Sequence, residues 1–313
     1  MRRIVRNLLR RLPGILLVAA LLFWYFTRPV ALPPEIAERI DAQAGNAARG
    51  ERLFAMGGCA SCHAAPGAEG AARLKLAGGR RFSTPFGTFV APNISPDPVA
   101  GIGAWRASDL VNAMKLGTSP TGTHYYPAFP WTSYTRAKID DMVDLFAYLK
   151  TLPPVAAAPP GHDVPFPFSW RRPIGLWKRL FVRDGWVVPN EALSEEGRRG
   201  RAIVEGLGHC GECHTPRGRL GQPLYDRWLS GAPNPTGRGR IPNITPAALK
   251  WSKADIVAYL RTGFTPDFDT VGGDMAEVVE NLSKLPEADL QAIATYLKEI
   301  PPIRSAEGTA GQR

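Results

Sequence analysis

Two copies of one five-residue pattern, Cys59-Ala-Ser-Cys62-His63 and Cys210-Gly-Glu-Cys213-His214, hold all four cysteines of the 313-residue chain. Two thiols three residues apart lie on one side of a single helical turn, and a histidine directly after the second thiol is held beside them. That spacing reaches the two vinyl groups of one porphyrin and sets an imidazole beneath its iron, the attachment pattern of c-type haem. A zinc half-site or a dithiol redox pair would also use Cys-x-x-Cys. Zinc pairs usually sit much closer together than the roughly 150 residues between these, a redox pair is expected beside a βαβ pattern, and neither requires the histidine. The sequence therefore points to two covalently bound haem c groups, one through Cys59 and Cys62 and one through Cys210 and Cys213. His63 and His214 are the candidate iron ligands, and no thiol is left over for a structural disulfide.

At the amino terminus Arg2, Arg3, Arg6, Arg10 and Arg11 precede an apolar run from Leu12 to about Phe26. The run is shorter than the ~20 residues that a perpendicular helix needs to span a bilayer. A cleaved export leader reads similarly, but no A-x-A site follows closely, and Phe23-Trp24-Tyr25-Phe26 suits a membrane–water interface. The expectation is an uncleaved signal anchor over residues 1–28: a transmembrane helix in lipid, single-pass in the inner membrane, with the remainder facing the periplasm. This segment holds six arginines and no acid, so of the formal net charge of +10 only +4 belongs to the exported part. That is too mild to argue for nucleic acid.

After the anchor the chain repeats itself once. Pro92-Asn93-Ile94-Ser95-Pro96 recurs as Pro242-Asn243-Ile244-Thr245-Pro246, and Trp105, Asp109 and Gly117 recur as Trp251, Asp255 and Gly263, these three at one constant offset. Each unit reads as helix, cysteine motif, long loop, helix, ligand loop and closing helix, which is one duplicated domain rather than a solenoid. Residues 46–155 and 193–303 are the expected domains, joined by a Pro- and aromatic-rich linker over 156–192, with a short linker at 29–45 and a tail at 304–313. Helices are expected from Asn46 to about Met56 and from Ser194 to about Leu207, leading into the two motifs. Closing helices are expected over about 138–151 and 287–300, with Pro286 at the first helical position. Trp170, Trp177, Phe181 and Trp186 of the long linker are expected to pack against the domains.

Each unit resembles a class I cytochrome c domain, so the expected fold is all-α: two tandem cytochrome c domains after an N-terminal transmembrane helix. The whole is similar to membrane-anchored dihaem c-type cytochromes and to the cytochrome subunits of periplasmic alcohol and gluconate dehydrogenases. The resemblance rests on Thr84-Pro85-Phe86-Gly87-Thr88, Ala91-Pro92-Asn93-Ile94-Ser95-Pro96-Asp97, Gly101-Ile102-Gly103-Ala104-Trp105, Tyr126-Pro127-Ala128-Phe129-Pro130, Cys213-His214-Thr215-Pro216-Arg217 and Gly272-Gly273-Asp274-Met275. Those dehydrogenase subunits usually carry three haems; this chain has motifs for two.

The resemblance implies Met275, in a Gly-rich loop, as the distal ligand of the second haem, where a thioether opposite an imidazole raises the potential. The first unit has Phe129 at the corresponding position, twelve residues after Gly117 as Met275 is after Gly263, and phenylalanine cannot ligate iron. His124, five residues earlier, is the expected replacement; Met114 and an open or water-bound iron are the alternatives. The first haem is accordingly expected at the lower potential. The implied function is electron transfer from a periplasmic dehydrogenase to quinone, a soluble cytochrome or a terminal oxidase. The competing reading is a peroxidase-like dihaem enzyme with the first haem as an openable site. Thiosulfate-oxidising dihaem cytochromes generally need a cysteine ligand, and none is free here; the dihaem subunit of a cbb3-type oxidase matches the motifs less well.

Overall fold

A computed structural model describes residues 2–234 and 239–305. Helix α1 (Arg2–Phe26) leads through α2 (Pro34–Asp41) into a first set of helices: α3 (Ala47–Met56), α4 (Cys59–His63), α5 (Ala107–Leu116), α6 (Trp131–Tyr134) and α7 (Ile139–Leu149). Helix α8 (Ile174–Phe181) lies in the linker. The second set is α9 (Glu195–Arg201), α10 (Gly211–His214), α11 (Lys253–Thr262), α12 (Asp274–Leu282) and α13 (Glu287–Glu299).

The same local chemistry starts corresponding helices. Asn46 caps α3 by accepting from the Arg49 N–H, and Ser194 caps α9 by accepting from the Gly197 N–H. Ser252 and Asp255 form a reciprocal capping box on α11. In each half the helix ahead of the cysteine motif packs on the closing helix, α3 on α7 and α9 on α13. Gly50 and Gly200 allow that approach: a Cβ would lie 2.0 Å from the Asp144 carbonyl oxygen in one and 1.9 Å from the Ala292 carbonyl oxygen in the other. Pro286 takes the capping position before α13 rather than its first turn.

Two expectations are corrected. The fold is mostly helical but not all-α. Strands β1 (Arg81–Thr84) and β2 (Gly87–Val90) form an antiparallel hairpin, and β3 (Ala232–Pro233) pairs with β4 (Arg240–Ile241). Helical periodicity does not register the hairpin, which Thr84 closes by donating to the Gly87 carbonyl and accepting from the Phe86 N–H. Second, no helix among the described residues is long and apolar enough to cross a membrane, which overturns the transmembrane helix and the single-pass inner-membrane location. Helix α1 is 25 residues long, but five arginines stand in its first part. At ~1.5 Å per residue the apolar run from Leu12 to Phe26 rises only about 22 Å, against a hydrocarbon core of ~30 Å.

The linker also departs from expectation. Trp177 packs inward, edge-on to Trp131 and Phe181, and Trp186 lies under Arg201 of the second half, but Trp170 is half-exposed and packs on Phe23 of α1 rather than on either half. The last part of the expected tail, residues 306–313, lies outside the described residues.

Candidate haem-binding sites

Helix α4 carries Cys59, Cys62 and His63, and α10 carries Cys213 and His214 with Cys210 at its N-cap, one short helix for each motif. Behind each histidine the repeated Pro-Asn-Ile loop supplies the same contact. His63 Nδ1 donates to the Pro92 carbonyl oxygen at 2.9 Å, and His214 Nδ1 donates to that of Pro242 at 2.8 Å. Fixing Nδ1 as the donor leaves Nε2 as the free lone pair, the arrangement by which a backbone carbonyl behind the ring orients an imidazole toward a metal. Burial lowers both imidazole pKa values, keeping the rings in the neutral form that ligates.

Each supporting loop is clasped to the chain beyond the closing helix. Asn93 accepts from the Ser95 N–H and donates to the carbonyls of Val155 and Ala157. Asn243 accepts from the Thr245 N–H and donates to the Ile303 carbonyl. The loop is further tied to the motif, because Gly78 N–H donates to the His63 carbonyl and Gly231 N–H to that of His214. Burial pushes the Cys59 and Cys210 thiols up to about 12, opposite to the lowered pKa of a reactive dithiol. Paired thiols, an adjacent imidazole and an oriented Nε2 together fit one covalently held haem in each half; bound haem supplies one-electron exchange at iron.

The two halves meet across their motifs in a reciprocal way. Ser61, the second residue between the cysteines of α4, accepts a 2.8 Å hydrogen bond from Asn281 on α12. Glu212 holds the same place in α10 and accepts from Thr132 and Ser133 of α6, at 2.7 and 2.6 Å. Arg80 strengthens the first contact, donating to the Ser61 carbonyl and pairing with Glu277 and Asp274. Arg217 pairs with the other oxygen of the Glu212 carboxylate. Asp289 on α13, almost fully buried, binds Arg52 from the first half and Arg199 from the second. The motif spacing carries no signal for these partners; only the assembled halves bring them together.

The distal candidates are unequal. Met275 sits in the first turn of α12 rather than in a free loop, half-buried and packed on the core. Phe129 lies edge-on between Tyr125 and Tyr134. His124 is buried and donates from Nε2 to the Thr27 carbonyl at 2.9 Å, fastening the end of α1; its Nδ1 has no hydrogen-bond partner among the described residues. Met114 faces the core with Leu110 on α5.

Residues 47–153 match the family described as Cytochrome c. The chain is 55% identical over 298 residues to a diheme cytochrome c-type protein of Cereibacter sphaeroides, covering 95% of this chain and 99% of that one. It is 38% identical to the fructose dehydrogenase cytochrome subunit of Gluconobacter japonicus and 36% to the gluconate 2-dehydrogenase cytochrome c subunit of Pantoea cypripedii, over 84% and 83% of this chain. It spans only 54% and 61% of the lengths of those two subunits. Two repeated haem-attachment motifs, the matched cytochrome c family and a near full-length dihaem relative converge: the chain belongs to the dihaem c-type cytochromes, electron-transfer proteins, and carries two covalently bound haem c.

Proposed function

We propose that the protein accepts single electrons from a dehydrogenase partner and passes them to quinone, a soluble cytochrome or a terminal oxidase. The observation that carries this reading is the reciprocal packing of α4 against α12 and α10 against α6, which sets both attachment helices at one interface inside one chain. The dehydrogenase partner is supported by relatives that are the cytochrome subunits of fructose and gluconate dehydrogenases. In this reading Cys59, Cys62, Cys210 and Cys213 hold the haems, His63 and His214 are the proximal ligands, and Met275 is distal on the second. For the first, His124 is the candidate through Nδ1, the nitrogen that Thr27 leaves free.

Anaerobic mixing of oxidised holoprotein with dehydrogenase fractions from its own host, each with its substrate, tests the donor. Substrate-dependent appearance of the reduced spectrum supports the proposal, and reduction by none of the fractions overturns it. A redox titration is expected to resolve two one-electron steps, with the first haem lower. A second reading, an openable first haem with peroxidase-like chemistry, is favoured by Phe129 at the position that Met275 holds in the other half. Rapid carbon monoxide binding to one reduced haem, together with turnover of peroxide, would select it.

A further inference from the structure

Residues 164–186 carry an apolar surface that the fold leaves open. Phe166, Trp170, Leu176 and Leu180 are 80, 53, 42 and 64% exposed. Exposed apolar surface gathered in one region of a folded protein marks an interaction site. Helix α8 is two-sided: Gly175 packs against the Thr27 backbone and Trp177 against Trp131, while Leu176 and Leu180, one turn apart, point outward. The Phe23 and Trp170 rings lie 5.5 Å apart, so the surface continues onto the exposed end of α1. On its other side Phe168 meets Phe86 at 5.1 Å, and Trp177 donates to the carbonyl of the exposed Leu220.

The charge around this surface is predominantly positive. Residues 164–186 hold Arg171, Arg172, Lys178, Arg179 and Arg183 against the single acid Asp184. Lys178 is committed inward, donating to the carbonyls of Leu116 and Gly117. Arg28, Arg179 and Arg183 are exposed. Arg28 stands over the Tyr25 ring and Arg179 over the Phe26 ring, so cations and aromatic rings alternate along the edge. Apolar anchors flanked by arginines and aromatic rings match the headgroup layer of an anionic bilayer, where guanidinium groups stay hydrated against phosphate while the apolar side chains enter the acyl boundary. The eight residues of α8 rise only about 12 Å, so such contact lies in the plane of the surface and does not span it.

We propose that this belt docks the folded protein onto an anionic phospholipid surface, with Phe166, Trp170, Leu176 and Leu180 as apolar anchors and Arg28, Arg179 and Arg183 as headgroup contacts. The inference is independent of the electron-transfer reading. It is tested by floating the full-length holoprotein with vesicles of phosphatidylglycerol and phosphatidylcholine in equal parts, and with phosphatidylcholine alone, reading bound protein by haem absorbance. The expected result is flotation with the anionic vesicles that falls with salt, at least ~10-fold less binding for L176E/L180E, and a loss confined to anionic vesicles for R28E/R183E. Both variants leave the apolar run of α1 intact. Unchanged haem spectra and thermal transitions check that they fold, and F166S, at the most exposed anchor, serves if the double variant does not. Absence of flotation, or flotation of L176E/L180E equal to that of the unaltered protein, overturns the proposal. A dimer in solution that L176E/L180E dissolves, without flotation, assigns the face to a second copy of the chain and overturns it equally.

Discussion

Glu205 and Tyr296 meet where neither is exposed to solvent: the Tyr296 hydroxyl donates to the Glu205 carboxylate at 2.7 Å. The i→i+5 bond from Gly208 N–H to the Ile203 carbonyl marks the π-bulge that extends α9 over Ala202–Leu207 and places this carboxylate in the interior. There it also accepts from the N–H groups of Val187 and Val188 in the linker and faces Arg136 of the first half at 4.0 Å. One buried carboxylate thus ties both halves and the linker.

Removing it should be costly. Glu205→Leu leaves the buried Arg136 guanidinium without its counter-charge and three donors without their acceptor, for an expected loss of about 3 kcal/mol. Urea unfolding of the holoprotein measures it; a loss below about 1 kcal/mol would show the site to be only weakly coupled to folding.

The same group gives a pH dependence with a defined sign. Burial raises the Glu205 carboxyl above its ordinary value, against the hydrogen bonds of Tyr296, Val187 and Val188 and the charge of Arg136. The folded state then holds a proton at pH values where the unfolded chain has lost it. The contribution is therefore fully present below the ordinary carboxylate pKa and is lost as pH rises through the raised folded value. Glu205→Gln should flatten that slope; parallel stability curves for the two proteins across this window would contradict the assignment.

Gly50 and Gly200 are expected to tolerate no side chain. Alanine at either would place a Cβ about 2 Å from a carbonyl oxygen of the closing helix, forcing α3 from α7 or α9 from α13. Each substitution should cost ~1–3 kcal/mol or more. Thermal unfolding of the two single variants is the measurement, and a midpoint equal to that of the unaltered protein would mean that the helices can separate freely.

Thr132 and Ser133 should stabilise the contact between halves through Glu212. The double variant Thr132→Ala/Ser133→Ala deletes two hydrogen bonds to a carboxylate that retains Arg217, for an expected loss of about 2 kcal/mol. Denaturation read separately at the two haems is expected to show the halves unfolding less cooperatively.

Met275→Leu tests the proposed ligand of the second haem. Exchanging the thioether for an alkyl group of similar volume should lower that haem's potential by on the order of 100 mV and leave the other step in place. A titration indistinguishable from that of the unaltered protein would remove Met275 from the ligand set.

Much of the helical framework was legible in local chemistry. Asn46 and Ser194 announce α3 and α9, Ser252 with Asp255 announces α11, and the doubled Pro-Asn-Ile element recurs where the loops behind His63 and His214 must be. The hairpin β1–β2 escaped a reading tuned to helical period, and the apolar run of α1 suggested a span that its length does not support. Trp170 read as packing on the haem-bearing halves because composition does not say which linker side chains they cover; it meets Phe23 of α1 instead.

By itself the sequence determined the covalent chemistry, since two thiols and a histidine at fixed spacing allow one geometry wherever the motif folds. It also determined the duplication and the inequality at Phe129 and Met275, which are matters of residue identity. Only the tertiary structure decided that Ser61 meets Asn281, that Glu212 meets Thr132 and Ser133, and that Glu205 is enclosed by Arg136 and Tyr296. Those partners stand between 69 and 220 residues apart, and no local propensity couples groups at that separation. They meet because burying both apolar helix faces brings the two halves together, and the polar groups carried along must then satisfy one another.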